Sequence, residues 1–251
     1  MILFDEKNPR SLEGHEELAA RLGGVKLPDE IAVCIGGDGF MLHCVRKHGL
    51  DRVYLGLNAG HLGFLLNEVD DWDAVVERLV ARAWNVHSFP LLEATIHTVG
   101  GGTVHELAIN DVYLERMTGQ TARIALTIDG HEVVDAMVAD GIIFSTALGS
   151  TAYSFSAGGA PCHPEVPIMG VTAICPHLPK LPPFVLPASA RARVDVRNPD
   201  YRPVRVVVDG TDTENVEAVD VHLSSEKAVR FAYFAGRDLT ATMVRKIVRR
   251  A

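Results

Sequence analysis

Four short stretches of this 251-residue chain concentrate residue types able to do chemistry. The first is Gly36-Gly37-Asp38-Gly39, which follows the apolar run Ile31–Ile35 and precedes a helical pattern over Phe40–His48. Glycines let the backbone turn sharply and approach a ligand closely. A helix start just beyond them offers unpaired N–H groups to a phosphate. Asp38 is then either the cap of the following helix or a carboxylate aimed at a ligand; three glycines in four residues exceed what a cap requires. His43, on the following helix, faces the same end as Asp38 and is placed to touch a phosphate. The second stretch is Asn58–Phe64 (NAGHLGF), after the apolar run Val53–Leu57. Two neighbouring strands that each deliver a Gly-rich loop suit a crevice at the carboxyl ends of the strands, with an ordinary helix-start loop as the equal alternative. The third is Asn110-Asp111 within the apolar stretch Leu107–Leu114, where polar groups need partners and adjacent side chains face opposite sides of a sheet; the alternative is an exposed strand end. The fourth is the strongest. Asp140–Gly159 reads DGIIFSTALGSTAYSFSAGG, an apolar strand running into small hydroxyl residues that admit a ligand and hydrogen-bond to it. Tyr153 adds a ring to stack or a hydroxyl to donate.

These stretches need elements to hold them. The first half of the chain alternates strand and helix. Ile2–Phe4 reads as a strand. Ser11 is placed to cap a helix through Arg21, stopped by Gly23-Gly24. Ile31–Ile35 and Val53–Leu57 read as strands buried on both faces, and Trp72–Ala83 as a helix. That alternation predicts a parallel sheet covered by helices. From Leu91 the texture changes to short β-rich runs: Leu91–Val99, Val104–Leu114, Arg123–Ile128, Val133–Ser145, Val194–Arg197, Val204–Val208 and Ala218–Leu223. Asp129-Gly130 and Asp209-Gly210 are tight-turn signals between them. Arg237–Arg250 reads as a final helix with Leu239, Met243 and Ile247 on one face. The expected organisation is an α/β domain over residues 1–89 carrying the glycine turn, a β-rich domain over 90–231, and a C-terminal segment over 232–251. The fold class is therefore α+β with two domains: a Rossmann-like α/β part, then a β-sandwich-like all-β part, with the last helix returning toward the first domain.

Composition narrows the function classes. Hydrophobic residues make up 47% and charged residues 22%, which suits a globular chain rather than a disordered one. Lys+Arg is 24 against Asp+Glu 32, a net charge of -8, which argues against a nucleic-acid binder. Nucleotide binding is untouched by this balance, because backbone N–H groups and a metal ion can hold phosphates. No apolar run is long enough to span a bilayer, and the N-terminus lacks the pattern of a signal peptide. The four cysteines include no C-x-x-C pair, as expected for reduced thiols in a cytoplasmic protein. The eleven histidines form no H-E-x-x-H or similar pair, so no residue is expected to bind a metal directly.

Taken in order, several segments resemble the NAD kinase family, which transfers a phosphoryl group to the 2′-hydroxyl of NAD. They are Gly36-Gly37-Asp38-Gly39, Gly60-His61-Leu62-Gly63-Phe64, Asn110-Asp111, Asp140-Gly141 and Gly149-Ser150-Thr151-Ala152-Tyr153. His163-Pro164, Cys175-Pro176-His177 and Leu186-Pro187 continue the pattern. Lipid kinases and some phosphofructokinases share the G-G-D-G turn; the G-S-T-A-Y segment is far more diagnostic. The resemblance implies roles. Asp38 matches the general base, with Gly39 beside it in the nucleotide site, and Phe64 an aromatic near the adenine. Asn110 and Asp111 match the pair that holds the adenosine ribose and base. Asp140 matches a contact to the nicotinamide half, supplied from a neighbouring subunit. Thr151, Ala152, Tyr153 and Ser156 match the dinucleotide-binding segment. It further implies NAD as substrate, ATP (or polyphosphate) as donor with Mg²⁺ or another divalent cation, and a homodimer or homotetramer. The sequence departs from the family pattern in four places. Ala147 replaces a proline, Asp111 a commoner glutamate, and Thr211 follows Asp209-Gly210. Only Gly23–Glu30 precedes the Ile31 strand, as if one βα unit were missing. Two alternatives stand beside this expectation: a non-catalytic dinucleotide-binding sensor, and a kinase of the same fold acting on another hydroxyl.

Overall fold

In the computed structural model, which describes residues 1–60 and 63–248, the chain forms two compact units. One comprises Met1–Phe89 with Ala228–Ala251, the other Pro90–Lys227.

The first unit is built on a parallel sheet. β1 (Ile2–Phe4), β2 (Ile31–Gly36) and β3 (Val53–Asn58) lie in that order, and the second half of β15 (Val216–Phe234) pairs with β3 through Arg230 and Phe231. Every residue of β2 is buried, as a strand with helices on both faces requires. Leu18 and Leu22 of α1 (Pro9–Leu22) and Val75 and Leu79 of α3 (Trp72–Val80) pack on Val33, Ile35, Leu55 and Leu57. Alternate residues of β2 point the other way, and there Cys34 meets Cys44 of α2 (Asp38–His48). All four cysteines are free thiols.

Several element ends differ from the sequence expectation. α1 begins at Pro9, with Asn8 as its cap; the Asn8 side chain accepts from the Arg10 N–H. Proline suits the first helical position because its φ is preset and its missing N–H would have no partner there. Ser11 is not the cap. Fully buried, its Oγ accepts from the Asp5 N–H and donates to the Ile35 carbonyl, tying the end of β1 to β2. α3 stops at Val80 rather than Ala83, because Arg82 adopts a left-handed φ of 53° and turns the chain into β4 (Trp84–Thr98). α5 (Leu239–Val248) starts two residues later than expected, where the Asp238 carboxylate accepts from the N–H groups of Thr240 and Ala241. Its buried residues are Leu239, Thr242 and Lys246, with Met243 and Ile247 half-buried. The expected helix end at Arg250, and His61 and Leu62 of the second Gly-rich loop, lie outside the described residues.

The second unit is a pair of antiparallel layers. One holds the end of β4 with β5 (Gly102–Ala108), and the first half of β15 with β12 (Arg191–Val196), β7 (Ala122–Ile128) and β8 (His131–Ala139). The other has six strands in the order β11 (Phe184–Pro187), β10 (Ile168–Ile174), β9 (Gly141–Thr146), β6 (Asp111–Arg116), β13 (Val204–Val208) and β14 (Thr211–Glu214). Leu92, Ile96, Ile124, Leu126 and Val194 of the first layer meet Val112, Leu114, Ile142, Phe144 and Val206 of the second in one apolar core.

Two expected strands are each broken in two. Val104–Leu114 divides at Ile109-Asn110 into β5 and β6, and Val133–Ser145 divides at Asp140 into β8 and β9. In both cases the chain leaves one layer and enters the other, a corner common to sandwiches. A hydrophobic pattern cannot show such a corner, because the residues on either side are equally buried. Asn110-Asp111 is therefore at a corner rather than inside a strand. Among the described residues, no helix is long and apolar enough to cross a membrane.

Candidate active site

The Gly-rich turn sits where β2 enters α2. Gly37 is the N-cap and Asp38 the first helical residue, and no side chain caps this helix. The carboxylate is instead held by the loop after β3. Asp38 Oδ1 accepts from the N–H groups of Phe64 and Leu65, both at 2.9 Å, and Oδ2 accepts from the Phe64 N–H at 3.1 Å. The cap alternative is thus excluded, and the two Gly-rich loops are joined through this one side chain. Its negative charge also lies at the positive end of α2. The glycines serve by leaving space. Gly37 has an ordinary φ of -107°, and among the described residues a Cβ at Gly37 or Gly39 would meet no atom beyond its chain neighbours within 4 Å.

The backing of this loop comes from the C-terminal part of the chain. Arg237 Nη2 donates to the Phe64 carbonyl at 3.0 Å, and Lys246 Nζ lies 4.0 Å from the centre of the Phe64 ring. Asn67, only 3% exposed, donates through Nδ2 to the carbonyls of Gly56 and Ala232 and accepts from the Phe234 N–H. None of these three residues was expected at the site. Asn67 carried a faint signal, a polar residue close behind an apolar run; Arg237 and Lys246 read as ordinary helix cations. His43 is not brought to the Asp38 carboxylate. It is about 140° further around the helix, stacks on Phe40, and lines a cavity of about 540 Å³ against β1.

In the second unit the corner at Ile109–Asp111 is held by a single carboxylate. Asp209 accepts from the N–H of Ile109 at 2.6 Å, of Asn110 at 2.9 Å and of Asp111 at 3.2 Å. Asp209 has a φ of 44° and Gly210 of 86°, the two positive values of a tight hairpin turn. The turn signal was visible in the sequence; this anchoring role was not. On the other side, the Thr146 N–H donates to the Asn110 carbonyl at 2.9 Å, and Thr146 Oγ1 donates to the Ile109 carbonyl and accepts from the Gly149 N–H. A Cβ on Gly149 would lie 2.0 Å from the Asn110 carbonyl oxygen, so only glycine allows this approach. With its backbone fixed, the Asn110 side-chain amide makes no hydrogen bond among the described residues.

Asp111 is 6% exposed and accepts from the Tyr153 N–H. Burial, reinforced by the neighbouring Asp209 charge, pushes its carboxyl up to about 7. Tyr153 opens α4 (Tyr153–Ser156) and packs edge-on against Tyr113, with ring centres 5.0 Å apart. A cleft of about 270 Å³ is lined by Tyr153, Glu115, Arg116, Asp140 and Ile174. The Asp140 carboxylate is held there by Arg116 Nε at 2.6 Å. Thr151 is buried, whereas Ala152 is half-buried and Ser156 exposed. Several hydroxyls of the Ser/Thr-rich segment turn inward rather than toward a ligand. Ser150 donates to the Ala147 carbonyl and accepts from the Cys162 N–H, and Ser154 pairs with Thr172. The Ser150 bond closes the turn at Ala147 despite the absent proline.

The structure therefore brings Asp38, Gly39 and Phe64 together in the first unit, and Asn110, Asp111, Asp140, Thr151, Ala152 and Tyr153 together in the second. A glycine-flanked carboxylate at a sheet edge and an aromatic cleft beside a small-residue turn are the parts of a nucleotide-binding phosphotransferase. A family model described as the ATP-NAD kinase C-terminal domain matches residues 109–232. An NAD kinase of Caulobacter vibrioides is 37% identical over 242 residues, covering 92% of this chain and 89% of that protein. One of Xanthomonas campestris pv. campestris is 35% identical over 224 residues, covering 86% and 84%. Among solved structures, a yeast NADH kinase complexed with NADH aligns over 98% of this chain and 85% of its own, with a TM-score of 0.85 and 22% identity. An Archaeoglobus fulgidus NAD kinase in complex with ATP aligns over 98% and 97%, with a TM-score of 0.78 and 24% identity. The chain belongs to the NAD kinase family.

Proposed function

We propose that the chain transfers the γ-phosphoryl group of ATP to the 2′-hydroxyl of the adenosine ribose of NAD, giving NADP and ADP. The observation that carries this reading is the Asp38 carboxylate, oriented by two backbone N–H groups beside two glycines that leave room for a substrate. In the proposed step the ribose oxygen bonds to the γ-phosphorus, the bond from that phosphorus to ADP breaks, and the 2′-hydroxyl proton passes to Asp38. An aspartate is a weak base in water, so most of the acceleration comes from positioning and from stabilising charge on the transferring group. The Asn110 amide and the Asp111 carboxyl hold the adenosine. The Thr151–Ser156 segment and Asp140 hold the rest of the dinucleotide, and Phe64 lies near the adenine.

Divalent cation enters as part of the donor, bound to its phosphates. Among the described residues no cluster of three or more His, Cys, Asp or Glu side chains is placed to cage a metal. The family resemblance supports a homodimer or homotetramer, and the four free thiols suit the cytoplasm.

A coupled assay for NADP formation from NAD, MgATP and purified protein tests the reading. Wild type is expected to turn over, and Asp38→Asn to lose at least about 100-fold in kcat while keeping its thermal midpoint. Full turnover by the variant removes Asp38 as base; NAD binding with no product from either protein moves the sensor reading ahead.

A further inference from the structure

Arg237 reaches the Asp38 carboxylate through one peptide group. Its Nη2 donates to the Phe64 carbonyl at 3.0 Å. The N–H at the other end of that same peptide, on Leu65, donates to Asp38 Oδ1 at 2.9 Å. A cation on the carbonyl oxygen polarises the peptide, and its N–H becomes a stronger donor to an ionised acceptor.

Stability alone accounts poorly for this arginine. The guanidinium lies 5.0 Å from the Tyr233 ring centre, and Arg237 forms no ion pair with a carboxylate among the described residues. Its Nε and the Tyr233 hydroxyl are both buried without a hydrogen-bond partner. Burial lowers the arginine's pKa, as expected for a charge removed from water. A half-buried cation without a paired anion gives up hydration that no ion pair returns. What the arrangement does provide is a fixed positive charge two hydrogen bonds from Asp38.

We infer that Arg237 is a positioning residue for the phosphoryl-transfer step, acting through the Phe64–Leu65 peptide to keep the Asp38 carboxylate aimed at the acceptor hydroxyl. Lys246, over the Phe64 ring, holds the same loop from its side chain. Among the described residues, the other charged or titratable groups around the pair are Tyr233, Glu68 and Arg245. Tyr233 stays neutral throughout, its pKa raised by burial. Glu68 is the second carboxylate and needs its own control. This inference rests on Asp38 being the base.

The test is steady-state NADP formation from about pH 5 to about pH 9 for Arg237→Gln, Arg237→Lys, Glu68→Gln, Asp38→Asn and the Asp38→Asn/Arg237→Gln double variant. Thermal melts accompany each. Arg237→Gln is expected to lower kcat about 10- to 100-fold with KM for NAD within about 2-fold, and to move the acid limb of kcat to higher pH. Arg237→Lys, which keeps the charge but not the fork, recovers most of both effects. Glu68→Gln leaves the acid limb in place. In the Asp38→Asn background the arginine change has no further effect on residual turnover, as coupled residues require. An acid limb unmoved in both arginine variants, or equal losses with and without Asp38, overturns the inference while leaving Asp38 as base. Full turnover by Asp38→Asn alone removes the base itself, and the inference with it.

Discussion

Two carboxylates of the site live under opposite conditions. Asp38 is half-exposed, and its carboxylate accepts two backbone N–H groups. Asp111 is buried, and its carboxyl is pushed up to about 7, first by burial and then by Asp209. Between its ordinary 3.8 and about 7 the folded protein binds a proton that the unfolded chain has released. The stability this proton contributes is complete below about pH 4 and is lost as pH rises through about 7. Asp111→Asn has the shape of the protonated acid and no charge to bury. Its stability advantage over wild type is expected to grow across that window, reaching roughly 2–4 kcal/mol at pH 8. With Asp111 in the proposed adenosine contact, KM for NAD is expected to rise at the same time, because that contact loses a charged acceptor. Denaturant midpoints at pH 5 and pH 8 check this; a gap that does not change with pH overturns it.

The elements place these residues at ends and corners. Asp38 begins α2, Asn110 and Asp140 occupy the corners where strands change layers, and Tyr153 begins α4. Each position exposes a polar side chain while the residues on either side anchor it in a core. The corner at Asn110 depends on close backbone approach. Gly149→Ala puts a methyl group where the Asn110 carbonyl oxygen already lies. Backbone on both sides must move, at an expected cost of about 3 kcal/mol or more. The Tm should fall and NAD affinity with it; an unchanged melt shows that the corner yields freely. The same elements explain which expectations were legible in the residue order. β2 and α2 announce themselves through local signals: an apolar run, glycines, then helical spacing. The broken strands do not, since a chain crossing from one buried layer to another stays apolar throughout.

At the scale of the whole molecule, the first unit is discontinuous in the chain. Its sheet needs the second half of β15, and its second Gly-rich loop is backed by Arg237 and Lys246. The apolar core of the second unit draws only on residues from Leu92 to Leu223. A chain ending at Lys227 is therefore expected to lose the first unit and keep the second. Far-UV circular dichroism should lose most of its helical signal, α4 being the short helix that remains, while trypsin leaves a resistant fragment close to Pro90–Lys227. Retained helix in that truncated chain overturns the dependence.

The order of residues was sufficient for the alternating α/β region, the hairpins at Asp129 and Asp209, the place of Asp38 and the family it shares. All of these rest on local rules: side-chain period, glycine conformation, and motif spacing within a few residues. Other features came only with the folded chain. Asp209 holds amides 98 to 100 residues away, and Arg237 holds a carbonyl 173 residues away. Such bonds join groups that many different residue orders could bring together, and they impose no period on the sequence. Whether a lone aspartate or arginine is solvated or wired to a loop of the candidate site depends on which distant backbone the packing of the core delivers to it.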